Sequence, residues 1–157
     1  MKLLFILLTL FLLSGCSTNS LNRQQPVSIS PEDETPIIAT LYQEYQRWDK
    51  TPYLLGGDSL DGIDCSALVQ KIYKNALGLT LPRTTQEQAK AGYWIGKRRL
   101  REGDLVLFKT GYKTRHAGIY LENGNFINTS KKYGVTISNL NNPYWKSKYW
   151  QSRRVLP

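Results

Sequence analysis

The spacing of apolar residues changes once, at Gly103, and that change limits the architectures open to this 157-residue chain. Before it, apolar side chains recur every three or four positions, the period of an amphipathic helix. Ile37, Ile38, Leu41, Tyr45 and Trp48 form one such stripe, opened by Thr35-Pro36 as cap and first-turn proline and closed near Asp49. Leu68, Val69, Ile72, Tyr73, Ala76 and Leu77 form a second stripe, with Gly78 as its stop. A third, short helix is expected from Thr84-x-x-Glu87 or Thr85-x-x-Gln88, either of which fits a capping box, with Gly92 ending it. After Gly103 come short β-branched and aromatic runs: Asp104–Lys109, His116–Leu121, Asn125–Thr129, Val135–Ser138 and Tyr149–Val155. Asn123-Gly124 between two of them is a two-residue hairpin signal. Helices first and antiparallel strands afterwards describe an α+β domain rather than alternating βαβ units.

The start of the second helical stripe carries a thiol. Gly62-Ile63-Asp64-Cys65-Ser66 puts Cys65 at a helix N-terminus, and His116 is the single histidine in the chain. A free thiol has a pKa of about 8.5, so it needs help to be a nucleophile near neutrality. The helix terminus offers about 0.3–1 kcal/mol to an anion, against about 1.4 kcal/mol for one pKa unit. The dipole therefore does not suffice, and an imidazolium has to supply most of the stabilisation. A Cys-His enzyme built on this chain has only His116 to use. Its second ring nitrogen needs an acceptor, and Asn128, on the strand after Asn123-Gly124, is the candidate. Strands folded symmetrically about that dipeptide miss a direct His116–Asn128 pairing by three positions, which leaves the register open. The plainer alternative is a buried, inert Cys65 with a solvent-facing Asn128.

Met1-Lys2, the apolar run Leu3–Leu13 and then Leu13-Ser14-Gly15-Cys16 read as a secretory signal too short to span a bilayer. Leu-Ser-Gly-Cys resembles the bacterial lipoprotein processing box, which implies a signal over 1–15 and a lipidated Cys16. Residues 16–34 are Ser, Asn, Gln, Pro and acid with few apolar side chains, so they are expected to be a flexible tether spanning roughly 23 Å. Residues 35–157 are then a single folded domain. With Cys16 blocked, Cys65 has no disulfide partner, and an odd free thiol in an exported protein points to reactivity. Ser17 after the lipidated cysteine resembles the outer-membrane sorting pattern of Gram-negative bacteria, so the expected place is the outer membrane, facing the periplasm.

Several stretches together resemble one family. Tyr53-Leu54-Leu55-Gly56-Gly57, Gly62-Ile63-Asp64-Cys65-Ser66, Leu81-Pro82-Arg83-Thr84, Gly103-Asp104-Leu105-Val106, His116-Ala117-Gly118-Ile119-Tyr120 and Phe126-Ile127-Asn128 are, as an ordered set, similar to the NlpC-type cell-wall cysteine peptidase family. The likeness runs from about Leu41 to the C-terminus and takes in Tyr144-Trp145 and the stretch from Tyr149 to Arg154. It implies a papain-like fold, with helices packed on a central antiparallel sheet, that cleaves peptidoglycan stem peptides, typically between γ-D-glutamate and meso-diaminopimelate. In that reading Cys65 attacks, His116 moves the proton and Asn128 orients His116. Tyr53 lies beside the nucleophile and serves substrate or oxyanion, while Asp64 and Ser66 meet the substrate's amino end. Asp64 as a plain helix cap is the competing role.

Three positions depart from the family pattern. Asn128 stands where most relatives have histidine, Ala67 where glycine is usual, and Leu55 where an aromatic is common. An asparagine carbonyl accepts the same ring N–H, as in papain, so activity is expected to survive. A muramoyl amidase, an acyltransferase and a catalytically silent wall-binding lipoprotein are the alternatives. The net charge of +9, densest at Lys97-Arg98-Arg99-Leu100-Arg101, suits an anionic wall, though a solvated loop explains that run as well. No nucleic-acid partner, metal or other cofactor is expected, and the domain is expected to be a monomer.

Overall fold

The computed structural model describes residues 36–156. The expected signal segment, Cys16, the tether and the Thr35 cap lie outside the described residues.

The first helix, α1 (Pro36–Trp48), buries Ile38, Leu41 and Trp48 from its stripe. A small hairpin, β1 (Asp58–Ser59) and β2 (Gly62–Ile63), leads straight into α2 (Cys65–Leu77). Both ends of α2 follow local chemistry. Asp64 caps its start, accepting from the Ala67 amide at 2.8 Å, and Gly78 stops it at φ 67°, its N–H closing on the Tyr73 carbonyl. The third helix, α3 (Thr85–Gln88), is capped by Thr84, so the first of the two expected boxes is the one used. It is shorter than expected. The chain turns at Ala89, and Gly92, at φ 58°, opens a strand that the helical spacing hid, β3 (Tyr93–Ile95). A turn of 3₁₀ helix over Lys97–Arg99 follows.

The remaining strands are β4 (Leu105–Lys109), β5 (Arg115–Tyr120), β6 (Asn125–Ser130), β7 (Gly134–Asn139) and β8 (Tyr149–Arg154), with a short helix α4 (Pro143–Lys148) before β8. They form one antiparallel sheet in the order β3-β8-β4-β5-β6-β7. The fold class is the α+β expected from the change of period. Strand alternation sorts β4 cleanly: Leu105 and Leu107 pack with Leu41, Leu68, Ile72 and Tyr73 of the helical layer, whereas Val106 and Phe108 join Phe126 and Leu140 on the far face. Each such fully buried side chain contributes about 1.5–3 kcal/mol.

The Asn123-Gly124 turn sets a register that matters later. Both residues have positive φ, 52° and 84°, as a tight hairpin turn requires. The connection is nevertheless longer than two residues, because the ladder starts only at Tyr120–Phe126 and Ile119–Ile127. Continued along the strands, this register sets Asn128 opposite Gly118, two places from His116, so that both side chains share a face; a pure two-residue loop would have put them on opposite faces. Gly118 is required there, since a Cβ would fall 2.6 Å from the Ile127 carbonyl oxygen.

At one end of the sheet Asp104 and Arg154 form a buried, two-pronged ion pair, at 2.8 and 2.7 Å. Asp104 also accepts from the Arg101 amide, and Arg154 donates to the Arg99 carbonyl. Truncating one partner strands a buried charge, so Asp104→Ala is expected to lower stability by about 3–5 kcal/mol in urea unfolding. The pair replacement Asp104→Leu with Arg154→Met is expected to recover most of that loss.

Candidate active site

Cys65 is the first residue of α2, and its sulfur meets β5. Only two residue pairs register between β5 and β6, Ile119–Ile127 and Tyr120–Phe126, and the Ala117 amide is directed to the Cys65 sulfur. The Thr85 hydroxyl, from α3, stands 3.7 Å from the same sulfur. Burial pushes the thiol up. The hydrogen bond and charge of His116, with the Ala117 amide and the Thr85 hydroxyl, outweigh it and leave the thiol below its ordinary value.

The second half of the site sits on β5 and β6. Asn128 is fully buried, and its Nδ2 donates to the Thr136 carbonyl at 3.3 Å and to Ser138 Oγ at 2.9 Å. That fixes the amide with Oδ1 facing His116 Nε2 at 3.3 Å. The carbonyl can only accept, so Nε2 carries the proton and Nδ1 is left for the thiol. Thiol, imidazole and amide therefore form a continuous chain in which the base is oriented and the nucleophile is favoured as an anion.

These groups open into a cleft of about 330 Å³. Tyr53 lines it, its phenol pushed up by burial and by the neighbouring Cys65 and Asp64 charges, so it keeps its proton as a donor. Arg115, Lys131 and Lys132 make the rim basic. Leu55, expected to shape one wall, is 80% exposed and lies outside the cleft lining. Asp64 and Ser66 are buried and bonded to each other, and both are held by Arg83: its guanidinium grips the carboxylate at 2.9 and 2.8 Å and donates to Ser66 Oγ at 3.0 Å. Asp64 also accepts from the Gly56 amide at 3.0 Å. Thus Asp64 is the helix cap and the anchor of the preceding loop, with Arg83 the more exposed member of the cluster.

Arg83 and Trp145 stand inside the sequence motifs, but no spacing marks either as a site residue. Trp145 of α4 lines the cleft and lies over the His116 ring, with centroids 5.2 Å apart and planes 23° apart. Pro143 after Asn142, a helix start, was the available signal for α4.

The family model of NlpC/P60 matches residues 50–154, which include every one of these cleft and triad positions. The chain belongs to the NlpC/P60 family. It is 41% identical over 157 residues to the probable endopeptidase NlpC of Escherichia coli (strain K12), covering 99% of this chain and 100% of that one. It is 41% identical over 142 residues to the same organism's murein DD-endopeptidase MepS/murein LD-carboxypeptidase, covering 90% of this chain and 76% of the relative. The solved structure of an NlpC/P60 family protein from Bacillus cereus ATCC 10987 aligns with a TM-score of 0.70 at 33% identity, covering 79% of this chain and 42% of the other. This chain thus spans less than half of that longer protein. The NlpC/P60 fold seen here is the papain-like α+β arrangement that the sequence pointed to.

Asp64 gives this site a pH signature. Burial pushes its carboxyl up, but the hydrogen bond from Arg83, the Ala67 amide, the Arg83 charge and the Ser66 hydroxyl hold it below its ordinary value. A lowered native pKa adds stability above the unfolded value of about 3.9, and that contribution is lost as pH falls through the native value. Arg83→Gln removes the largest of the lowering causes. The variant is then expected to be less stable near pH 6 and to lose less of its stability on acidification, because the gap between native and unfolded values narrows, read as urea midpoints taken from about pH 6 down to about pH 2.

Proposed function

We propose that this chain is a peptidoglycan hydrolase, a cysteine endopeptidase that cleaves stem peptides through Cys65, His116 and Asn128. The observation that carries the reading is the placement of Cys65 and His116 on one cleft, with His116 Nε2 held 3.3 Å from Asn128 Oδ1, in a chain of the NlpC/P60 family. The names of two E. coli relatives, a probable endopeptidase and a murein DD-endopeptidase/LD-carboxypeptidase, support the substrate class.

The steps balance with these groups alone. The Cys65 thiolate attacks the scissile carbonyl carbon and forms a C–S bond. Negative charge on the carbonyl oxygen is met by the Cys65 amide at the start of α2, ahead of the Ala67 and Leu68 amides that Asp64 takes, and by the Tyr53 hydroxyl. The His116 imidazolium gives its proton to the amine as the C–N bond breaks, leaving a thioester. Water then attacks the thioester as neutral His116 takes its proton, and the C–S bond breaks to return the thiolate and free the acid. No cofactor enters this scheme.

The bond proposed is the one the resemblance implies, between γ-D-glutamate and meso-diaminopimelate. The word DD-endopeptidase in a relative's name supports a second reading, in which the cut falls at a D,D linkage. Digestion of purified sacculi with product masses decides between them, and products freed at the lactyl-linked sugar would point to an amidase instead. We further propose that Cys16 is lipidated and holds the protein at the envelope, in the outer membrane facing the periplasm. Labelling by a fatty-acid probe in cells, lost in Cys16→Ser, is the expected result.

Cys65→Ala and His116→Ala are each expected to abolish release of cleaved stem peptides. Asn128→Ala is expected to lower kcat/KM by roughly 10²-fold, because the ring is no longer aimed. Unchanged turnover in either of the first two variants refutes the assignment. An ordinary thiol is almost wholly protonated at about pH 6, so rapid alkylation of Cys65 at that pH separates an active enzyme from a silent wall-binding protein.

A further inference from the structure

The His116 ring is held in its plane by Asn128 on one nitrogen and Cys65 on the other, and the scheme above leaves the flat side of that ring unused. Trp145 occupies it. The indole is fixed in turn: Phe108 packs at 4.7 Å, Phe126 edge-on at 5.3 Å and Tyr144 at 5.0 Å. Its helix is started by Asn142, whose side chain accepts from the Tyr144 amide at 2.9 Å, with Pro143 in the first turn.

The surroundings of a charged His116 make this stack consequential. From α2 the facing group is Cys65, and from β6 it is the neutral amide of Asn128. Arg115 on its own strand and Lys131 and Lys132 beyond β6 add positive charge along the cleft. Tyr53 and Tyr144 bring phenols, and β4 brings the Phe108 ring, 6.1 Å away. No carboxylate is among the cleft's lining residues. Besides the thiolate and the Asn128 carbonyl oxygen, which meet the ring at its edge, the imidazolium faces the π cloud of Trp145, within the roughly 6 Å at which a cation is attracted to a ring face.

We propose that Trp145 is a positioning residue whose indole keeps the His116 ring coplanar with its two partners and stabilises the imidazolium, so that the thiolate–imidazolium pair persists to higher pH. The inference rests on the Cys65–His116 pair of the proposed function and adds to it a group supplied by the C-terminal helix α4.

The test is the pH dependence of Cys65 alkylation by iodoacetamide in the full chain, followed by peptide mass, since the rate rises a second time, on an alkaline limb, when the imidazolium loses its proton and the thiolate is left unpaired. Trp145→Leu is expected to move the alkaline limb down by roughly one pH unit, and Trp145→Phe by less. A uniform loss of rate with the limb unmoved would overturn the proposal, because that is what a merely structural role gives. Fluorinated tryptophan weakens the π face while keeping its shape, so the proposal does not depend on Trp145→Leu folding. Its incorporation is expected to lower the alkaline limb in the parent chain and not in Trp145→Phe, and an unmoved limb in both would refute the stacking role. The underlying pair is judged separately: if the parent limb is unchanged in His116→Ala, the pair itself fails, whereas a His116-dependent limb indifferent to position 145 sinks only the role of Trp145.

Discussion

The hydrogen-bonded contact between Cys65 and His116 joins two layers that are otherwise built independently. The sulfur belongs to a helix whose start is dictated by Asp64, and the imidazole belongs to a strand whose position is dictated by the sheet. Burying a thiol raises its pKa, so the site works against its own location until the second layer arrives. What arrives is more than a ring. Strand β5 also brings the Ala117 amide onto the sulfur, and α3 adds the Thr85 hydroxyl. Local helix geometry alone offers less than one pKa unit, so the tertiary contact decides the chemistry.

Support for each layer is itself polar and internal. Arg83 closes both oxygens of Asp64 and the hydroxyl of Ser66 into one unit, which ties the loop at Gly56, the helix start and the segment before α3 together. Asn128 is held by Thr136 and Ser138 of the next strand, so its carbonyl has a single direction in which to accept. A neutral acceptor suffices there because the imidazole needs aiming, and the opposing charge comes from the thiolate. The same neutrality leaves the basic rim uncompensated, which suits substrates carrying carboxylates.

Much of this was legible in the sequence, and the limits have physical reasons. Helices α1 and α2 were readable because their apolar period is long and their ends carry Pro36, Asp64 and Gly78. The five later strands were readable from β-branched runs and turn residues. Strand β3 was not: Tyr93-Trp94-Ile95 is three residues long and its first two side chains are exposed, so it has no inward-outward alternation to detect. Cys65 and His116 could be paired because the chain offers a single histidine. Whether Asn128 reached that histidine could not be read, since one residue more or less in the hairpin turns its side chain to the opposite face. Thr85, Arg83 and Trp145 each approach the site across the fold, and contacts that long leave no period or spacing in the chain.

The place of β8 in the sheet has a consequence for the cleft. Residues 149–154 are inserted between β3 and β4, so this late segment of the chain is an inner strand, and it brings Arg154 to the buried carboxylate of Asp104. Until it is threaded in, β4 has a bare edge, an acid sits uncompensated in the interior, and β3 has no neighbour to pair with. The strand that pairs with the His116-bearing β5 is thus itself supported on its other edge by residues 149–154, so the cleft leans on a segment that contributes no side chain to it.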